Sequence, residues 1–353
     1  MKIGLFVYVE REDDPEYDKS IDQIAQALKR NGHEATIVLV HADVHRFLTE
    51  LKEQKFDLVF NLLEQFGEGN LGLVEATGLF QLLGVPYTGS GPGELFLQQD
   101  KALTKKLLAY EQILTPDYAV FTAEADLETG GKLRLPLFVK PLQMDASFGI
   151  EAKSSLVRNT TDLMERVVAI HKKFGDAALC EQYIEGREFY VGILGNLEAQ
   201  ALPPIEMDFS KMPEGMPHVM DSNAKFNENS IEYKSTKPIV ADLPDELRAK
   251  LQQVALNSFR ALRLRDYARV DLRLTETGDI YVIEVNANCY LEKESEFAMA
   301  AKAAGIEFDA MVERIVELAT ERAAQAKKLR AAVKQSNGHP VHEGQYDHSG
   351  EQR

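Results

Sequence analysis

The sequence predicts an α/β protein, and two stretches support this prediction. Residues 3–89 alternate short apolar runs with amphipathic helical patterns, as the strands and helices of a parallel sheet do. Residues 268–288 alternate polar and apolar side chains, pass through a Gly-containing turn and continue as a second apolar arm, which is the pattern of a β-hairpin. We therefore expect a Rossmann-like parallel sheet at the N-terminus, followed by a region of mixed helices and strands.

Length and composition limit the function classes. The chain has 353 residues, enough for two or three domains, and 44% of them are hydrophobic. Its net charge of −16 argues against nucleic acid and against an anionic membrane surface as partners. Cys180 and Cys289 fall in or beside predicted strands, so a disulfide framework is not expected. Because no apolar run reaches the length of a membrane span and a strand begins at residue 3 where a signal peptide would stand, we expect a cytoplasmic protein.

The N-terminal region is predicted to contain four strands separated by three helices. The strands are expected at residues 3–9, 35–40, 57–60 and 85–87, and the helices at residues 19–30, 44–54 and 73–83. Ligands of parallel sheets bind at the loops that follow the strands, so residues 61–70 and 88–91 are candidate walls of a substrate site. Ordinary structural turns explain the glycines of these loops about as well.

A smaller α+β region is predicted next. Its strands are expected at residues 118–121, 137–140 and 179–183, and its helices at residues 99–110 and 161–174. Lys140 ends an apolar strand and faces the loop 143–149, a combination of a cation and backbone N–H groups that suits phosphate. The strand end at residues 181–184 leaves backbone groups free for adenine, with an ordinary β-turn as the alternative. The helix expected at residues 99–110 opens with lysines. A solvated helix face explains them without any role in a binding site.

The C-terminal part is predicted to contain a loop and three helices. Residues 209–238 are polar and interrupted by prolines, which predicts a mobile loop with Lys225 as its phosphate contact. The helices are expected at residues 244–262, 296–304 and 309–333. The last one carries a stripe of apolar side chains at helical spacing, namely Val312, Ile315, Val316 and Ala319. Residues 335–353 are polar and predicted to be disordered.

The hairpin is expected to end in metal ligands. With a four-residue turn at residues 276–279, Asp271 pairs directly with Glu284, and Arg269 pairs with Asn286. Carboxylates that face each other destabilise a sheet unless they are neutralised, and oxygen ligands without His or Cys suit Mg²⁺, which proteins commonly hold together with nucleotide phosphates. The hairpin therefore predicts a magnesium-nucleotide site. An exposed hairpin with solvated charges is the alternative.

Several segments occur in a familiar order: GVPYTGSG (84–91), DKALTK (100–105), LPLFVKP (135–141), ASFGI (146–150), CEQYIEGREF (180–189), AKF (224–226), and YARVDLRL with YVIEVNAN (267–288). Together they resemble the ATP-grasp superfamily and, within it, the D-alanine–D-alanine ligases, over about residues 1–320. The resemblance implies an ATP-grasp fold, in which two α+β subdomains clasp ATP. The expected boundaries are 1–95 for the Rossmann-like domain, 96–185 and 186–334 for the small and large ATP-grasp subdomains, and 335–353 for the tail.

The resemblance also implies roles for individual residues in binding ATP. Lys101 and Lys140 are expected to hold its phosphates, and Glu188 its ribose. Glu181 and the backbone of Ile184 are expected to hold the adenine.

A second group of implied roles concerns the chemistry. Asp271, Glu284 and Asn286 resemble the ligands of two Mg²⁺ ions, and Lys225 is expected to meet the γ-phosphate. The resemblance implies that Arg269 binds the oxyanion of the tetrahedral intermediate and that Ser295 holds the carboxylate of the acceptor. It also implies that Ser147 belongs to a loop that closes over the nucleotide.

The sequence departs from this family at positions that bind the amino acids. The Gly-Gly-x-Ser-x-Glu pattern after the first strand is absent, and Glu12 is a weak substitute as amine anchor. Glu64-Gln65 replaces the expected His-Gly, and Cys289-Tyr290 replaces the expected Pro-Gly. Two hydroxyls of the family are also missing, at Ala146 and Phe226.

These features predict an ATP-dependent carboxylate–amine ligase that acts through an acyl phosphate on small molecules other than two D-alanines. The resemblance further suggests a homodimer. Two alternatives are a genuine D-alanine–D-alanine ligase and a non-catalytic nucleotide-binding protein. A dinucleotide-dependent dehydrogenase is a poorer third, because no Gly-x-Gly-x-x-Gly follows the first strand.

Overall fold

A computed structural model of the chain describes residues 1–11, 16–67, 69, 71–123, 127–130, 132–144 and 149–336. The first sheet is parallel, with strand order β2-β1-β3. Its elements are β1 (Lys2–Tyr8), α1 (Lys19–Arg30), β2 (Glu34–Val40), α2 (Val44–Gln54), β3 (Leu58–Asn61) and α3 (Gly72–Leu83). The prediction of a fourth strand at residues 85–87 is wrong, because only one parallel bridge, between Val59 and Tyr87, forms there.

The helix expected at residues 99–110 is confirmed as α5 (Lys101–Tyr110), which begins two residues later than predicted. A further helix, α4 (Pro92–Gln99), was not predicted, and the two helices meet at Asp100. Asp100 has an extended backbone, and its side chain accepts a hydrogen bond from the N–H of Leu103 at 2.9 Å. This side-chain cap satisfies a free donor at the start of α5 and thereby fixes where the helix begins.

A five-stranded antiparallel sheet follows, with strand order β5-β4-β8-β6-β7. Its strands are β4 (Tyr118–Phe121), β5 (Leu127–Gly130), β6 (Leu137–Pro141), β7 (Leu156–Val157) and β8 (Ala178–Gln182), and its helices are α6 (Ala152–Ser155) and α7 (Thr160–Phe174). Val167 and Ile170 of α7 pack against Leu137 and Val139 in the core beneath this sheet.

The third sheet is antiparallel, with strand order β12-β11-β9-β13-β14 and a short strand β10 beside β9. Its strands are β9 (Arg187–Leu194), β10 (Gln200–Ala201), β11 (Ile205–Asp208), β12 (Lys237–Val240), β13 (Tyr267–Leu274) and β14 (Ile280–Asn286). Between them lie α8 (Ser222–Phe226), α9 (Ile231–Ser235) and α10 (Asp245–Ala261). The expectation of a loop throughout residues 209–238 is therefore wrong, because Asp221 and Ser230 cap two short helices there.

The last two helices, α11 (Glu296–Ala303) and α12 (Phe308–Ser336), return to the N-terminal sheet. Ile3 and Leu5 of β1 share one apolar core with α12, whose predicted stripe is confirmed: Val312, Ile315, Val316 and Ala319 are all buried. Opposite this face, Phe6 of β1 packs in a second core with α2 and α3. No helix in the described part of the chain is both long and apolar enough to cross a membrane.

Candidate active site

The hairpin of β13 and β14 has the pairing that the sequence predicts. Asp271 lies opposite Glu284, and Arg269 lies opposite Asn286. The four-residue turn is wrong, however, because Leu274 pairs with Ile280 and the loop has five residues, 275–279. A register shift between residues 271 and 272 restores the predicted pairs.

The polar face of β13 is buried, in contrast to the single buried face that the sequence predicts. The alternative of an exposed hairpin is excluded, since Arg269, Asp271 and Arg273 are only 8%, 3% and 4% exposed. The apolar face, with Val270 and Leu272, packs in the core that contains α10. The charged side chains lie on the other face of the strand, where they neutralise one another in place of solvent.

Arg269 is surrounded by acidic and aromatic groups. It donates hydrogen bonds to both carboxylate oxygens of Asp271, from Nε at 2.7 Å and from Nη2 at 2.9 Å. Its Nη1 lies 3.6 Å from Oε2 of Glu296, and its guanidinium carbon lies 4.5 Å from the ring centroid of Tyr190. Asn286 adds a hydrogen bond from Nδ2 to Asp271 at 3.2 Å. The predicted oxyanion ligand and two predicted metal ligands are therefore in direct contact.

The two carboxylates of the hairpin differ in their proton affinity. Burial raises the pKa of Asp271 to about 6, in spite of Arg269. Burial also acts to raise the pKa of Glu284, but the charges of Lys101, Lys140 and Lys225 outweigh it and lower that pKa. Three of the predicted phosphate ligands thus act electrostatically on the same carboxylate, although they come from three separate segments of the chain.

Lys140 is part of a buried triad. The Glu181 carboxylate lies between two ammonium groups, with Oε1 at 2.6 Å from Nζ of Lys105 and Oε2 at 2.9 Å from Nζ of Lys140. Burial acts to raise the pKa of Glu181, but the two cations outweigh it and lower the pKa to about 2. Lys105 has one anionic partner and a second cation nearby, and burial lowers its pKa. Sequence reasoning did not assign Lys105 a role.

The other lysine expected to hold phosphate, Lys101, is the first residue of α5. It is 8% exposed, so the solvated-face explanation is wrong for both Lys101 and Lys105. Its Nζ donates hydrogen bonds to the carbonyl oxygens of Leu142 at 3.5 Å and Met144 at 2.7 Å. The start of α5 is thereby tied to the segment that follows β6.

The residue expected to hold ribose, Glu188, belongs to a buried network. Its Oε2 accepts a hydrogen bond from Arg273 at 2.6 Å, and its Oε1 accepts one from the hydroxyl of Tyr190 at 2.9 Å. Arg273 also donates to the carbonyl oxygens of Gly186, at 3.1 Å, and His218. Arg273 and Tyr190 were missed by the sequence reading, because their side chains have a polar partner only once β9 and β13 are paired.

A cleft between the two antiparallel sheets collects most of the predicted nucleotide ligands. Its lining includes seven of the predicted site residues, namely Lys140, Glu181, Ile184, Glu188, Lys225, Asp271 and Glu284. Lys101 lies in an adjoining depression on the other side of Glu284, beside Lys105. The cleft thus has charged side chains among apolar ones, with residues 182–184 in its wall, and Glu284 is shared with the adjoining depression.

Ser295 lies apart from this cleft. It caps α11, where its Oγ accepts a hydrogen bond from the N–H of Ala298 at 3.4 Å, and it is 6% exposed. Its neighbour Glu296 contacts Arg269, so the cap lies beside the hairpin. Ser147, Ala146 and Glu12 lie outside the described residues.

The donor set of the hairpin fits a hard divalent cation. Asp271, Glu284 and Asn286 present carboxylate and amide oxygens from adjacent strands, the ligand type that Mg²⁺ prefers. Within the described ranges, no group of three or more His, Cys, Asp and Glu side chains forms a metal cluster. The predicted set of metal ligands has only two carboxylates, those of Asp271 and Glu284, and its third member is the amide of Asn286.

A second, larger cavity lies at the N-terminal sheet. It has a volume of about 600 Å³ and is lined by the ends of β1 and β3, the start of α1 and residues 288–291. Tyr290, one of the residues that differ from the family pattern, donates a hydrogen bond from its hydroxyl to Asp18 at 2.7 Å. The cavity thus connects the N-terminal part of the chain with the segment that follows the hairpin.

Comparison with known sequences gives a consistent set of relatives. Residues 102–317 match the family model described as D-ala D-ala ligase C-terminus. The uncharacterised protein y4sG of Sinorhizobium fredii is 32% identical and aligns with 85% of this chain and 87% of its own length. The D-alanine–D-alanine ligase of Pelotomaculum thermopropionicum is also 32% identical, over 86% of this chain and 92% of its own.

Solved structures have the same fold. The D-alanine–D-alanine ligase of Bacillus anthracis, crystallised with ATP, has a TM-score of 0.71 at 24% identity and covers 92% of this chain and 99% of its own. The corresponding enzyme of Coxiella burnetii has a TM-score of 0.68 at 19% identity, over 95% and 99% of the two chains. The predicted α/β fold class, with a parallel N-terminal sheet followed by two antiparallel sheets, is confirmed.

Proposed function

Because the chain belongs to the D-alanine–D-alanine ligase family, whose members are ATP-dependent ligases that form carbon–nitrogen bonds, we propose that it joins a carboxylate to an amine through an acyl phosphate. The carboxylate oxygen attacks the γ-phosphorus of ATP, and the bond to the leaving oxygen of ADP breaks. The amine nitrogen then attacks the acyl carbon, phosphate leaves and the nitrogen loses a proton. The observation that carries this proposal is the buried pairing of Asp271 with Glu284 beside Arg269.

The cleft between the antiparallel sheets is the proposed ATP site. The related B. anthracis enzyme was crystallised with ATP, which supports this part of the proposal. Lys101 and Lys140 would hold the phosphates, and Lys225 the γ-phosphate. Because Lys140 is paired with Glu181 in the structure, a phosphate would either share its ammonium group with that carboxylate or draw the group away from it.

The purine and ribose would lie at the other end of the cleft. We assign the adenine to Glu181 and the backbone of Ile184, and the ribose hydroxyls to Glu188. Lys105 keeps the carboxylate of Glu181 neutralised when Lys140 moves, since it lies at 2.6 Å on the opposite oxygen. Arg273, at 2.6 Å, likewise neutralises the carboxylate of Glu188.

The hairpin would stabilise the charge that develops during the two chemical steps. Asp271, Glu284 and Asn286 would hold two Mg²⁺ ions, which would supply positive charge for the phosphate oxygens. Arg269 is placed to bind the oxyanion of the tetrahedral intermediate, the kind of preorganised contact that contributes most in a water-poor site. Ser295 would hold the carboxylate of the acceptor, and the closing role of Ser147 remains a prediction.

We propose that the substrate pair differs from two D-alanines. Tyr290 and Cys289 line the N-terminal cavity at the position where the family has Pro-Gly, so a large aromatic side chain borders the substrate space. Glu64 lies in the same wall. The cavity of about 600 Å³ has room for substrates larger than alanine.

Location, assembly and domain boundaries complete the proposal. The enzyme would act in the cytoplasm, as a homodimer, on small-molecule carboxylate and amine substrates. Its domain boundaries would fall at residues 95/96, which lie within α4, at residues 185/186, between β8 and β9, and at residues 334/335.

The proposal is tested by incubating the full-length protein with ATP, Mg²⁺ and pools of D- and L-amino acids and small amines. We expect ADP release together with a condensation product found by mass spectrometry. A reaction with D-alanine as the sole amino acid serves as the reference. A kcat/KM for D-alanine above that of every other substrate would identify a genuine D-alanine–D-alanine ligase, and ATP binding without turnover in any pool would identify a non-catalytic protein.

A further inference from the structure

The N-terminal cavity has an excess of negative charge. Among the described residues of its wall are four carboxylate side chains, those of Glu10, Glu16, Asp18 and Glu64, and one guanidinium, that of Arg11. An anionic wall attracts cations and raises their local concentration.

Two of these carboxylates act on each other. Asp18 is held in place, since its Oδ1 accepts hydrogen bonds from the backbone N–H of Ser20 and from the hydroxyl of Tyr290, each at 2.7 Å. Glu64 is reached by solvent through the cavity, yet the surrounding protein removes enough water to raise the pKa of its carboxyl, and the charge of Asp18 raises that pKa further. No Lys or Arg within the described segments forms an ion pair with Glu64. A cation placed between these two carboxylates would remove an unfavourable interaction.

An independent observation also indicates a ligand in this cavity. Asn61 is part of the wall and only 1% exposed, and its Nδ2 has no hydrogen-bond partner among the residues that the structure describes. Its Oδ1 already accepts a hydrogen bond from the N–H of Leu63 at 3.3 Å. A buried donor without an acceptor is rare and costly, and an oxygen of a bound molecule would satisfy it.

The cavity extends towards the reaction centre. Tyr267 and Cys289 lie in its wall, and Tyr267 is two residues before Arg269 in β13, so that both side chains are on the same face of the strand. A molecule in the cavity can therefore direct one end towards Arg269 while the other lies between Asp18 and Glu64.

We propose that this cavity selects a basic amino acid as one of the two substrates, with its side-chain cation between Asp18 and Glu64. Asn61 would donate to an oxygen of that substrate, and the hydroxyl of Tyr290 would keep Asp18 in position. This inference rests on the proposed ligase function, because it names the substrate class of the same reaction.

Matched pairs of substrates test the charge requirement. Arginine is compared with citrulline and lysine with norleucine, in both enantiomers, by ADP release and by mass spectrometry of the product. We expect kcat/KM to be at least tenfold higher for the basic member of each pair. In Glu64→Gln this ratio should fall at least fivefold, through a higher KM for the basic substrate. Glu53→Gln, on the exposed side of α2, should leave the ratio unchanged.

The outcomes separate the inference from the function on which it rests. Turnover with equal kcat/KM for the basic and neutral members would overturn the inference and leave the ligase assignment intact. If no pool gives ADP, the ligase function fails, and calorimetric titration of the protein with arginine and with citrulline in the absence of ATP decides the inference. Binding of arginine that is weakened in Glu64→Gln supports it, whereas equal binding of both compounds, or of neither, rejects it.

Discussion

Arg269 donates two parallel hydrogen bonds to Asp271, two residues further along the same strand. Both oxygens of this carboxylate are satisfied before any ligand enters the site. The proposed roles of the two side chains, one on a metal ion and the other on an oxyanion, would draw on both members of this pair. We expect a metal ion at Asp271 to weaken the hold of this carboxylate on Arg269, and so to make the guanidinium more available to the reacting carbonyl.

The first prediction concerns the hairpin carboxylate Glu284. Replacing Glu284 by Gln keeps the size of the side chain and removes the charge that faces Asp271. We expect ADP formation to fall by about 100-fold or more, since charge stabilisation in such sites has effects of this size. Circular dichroism should show that the fold is retained. The matched control is Glu276→Gln in the exposed hairpin loop, and a Glu284→Gln enzyme as active as this control would contradict the metal assignment.

The second prediction concerns Lys105, which contacts one oxygen of Glu181. In Lys105→Met one of the two cations beside Glu181 is lost while Lys140 stays at 2.9 Å, so we expect the free energy of unfolding in urea to fall by only about 1 kcal/mol. Lys172→Met, on the exposed face of α7, should change it by less than about 0.5 kcal/mol.

Further variants separate charge from packing at the same carboxylate. In Lys105→Met combined with Lys140→Met neither of the two cations that contact Glu181 remains, so the free energy of unfolding should fall by about 3 kcal/mol or more, and adding Glu181→Gln should return at least half of that loss. If Glu181→Gln restores no stability in this background, the unpaired carboxylate is not the cause of the destabilisation.

The third prediction is a loss of stability in acid that depends on Glu181. The pKa of this carboxyl is about 2 in the folded protein, below its ordinary value of 4.5, so the unfolded chain takes up the proton first as the pH falls. The stabilisation is complete above about pH 4.5 and is lost progressively towards pH 2. It amounts to about 3 kcal/mol. Urea midpoints measured between pH 6 and pH 3 should decrease more steeply in the parent protein than in Glu181→Gln, and parallel curves would refute the assignment.

The fourth prediction concerns Asp266, which links the end of the chain to the N-terminal sheet. It is fully buried, and its Oδ2 accepts hydrogen bonds from the N–H of Gly89 at 2.8 Å and from Arg322 of α12 at 2.7 Å. Asp266→Asn should lower the free energy of unfolding by about 3 kcal/mol, because it leaves the guanidinium without its anion. Arg322→Met should lower the free energy of unfolding less in the Asp266→Asn background than in the parent protein. The control Arg330→Met, at an exposed position, should leave the free energy of unfolding almost unchanged. Strictly additive effects would show that the ion pair is not the cause.

The elements whose signals are local were predicted best from the sequence. Helices α1 and α2 begin and end at the predicted residues, because Asp18 and Asp43 cap them and an apolar stripe defines each buried face. The pairing of Asp271 with Glu284 was also correct, although the expected turn was one residue too short. A bulge supplies the missing residue, and a periodic pattern contains no information on its position.

The features that sequence reasoning missed depend on contacts between distant segments. Lys105 looks like any lysine near a helix start, and only the approach of α5 to β8 makes it a partner of Glu181. The division between α4 and α5 depends on the cap made by one aspartate, Asp100. The network of Glu188 with Arg273 likewise requires two strands to lie side by side, and the order of strands in an antiparallel sheet is not encoded in any single stretch.

The packing of α12 against β1 has a consequence for biosynthesis. The ribosome completes Ile3 and Leu5 first, and the residues that cover them, Met311 to Ala319, almost last. At a synthesis rate of about 5 to 20 residues per second, this apolar face of the first sheet lacks its contacts with α12 for on the order of ten seconds or more. The nascent chain therefore offers a binding surface to chaperones for most of its synthesis. A premature stop codon before residue 311 removes more than a helix, because it leaves one face of the opening strand without the residues that complete its core.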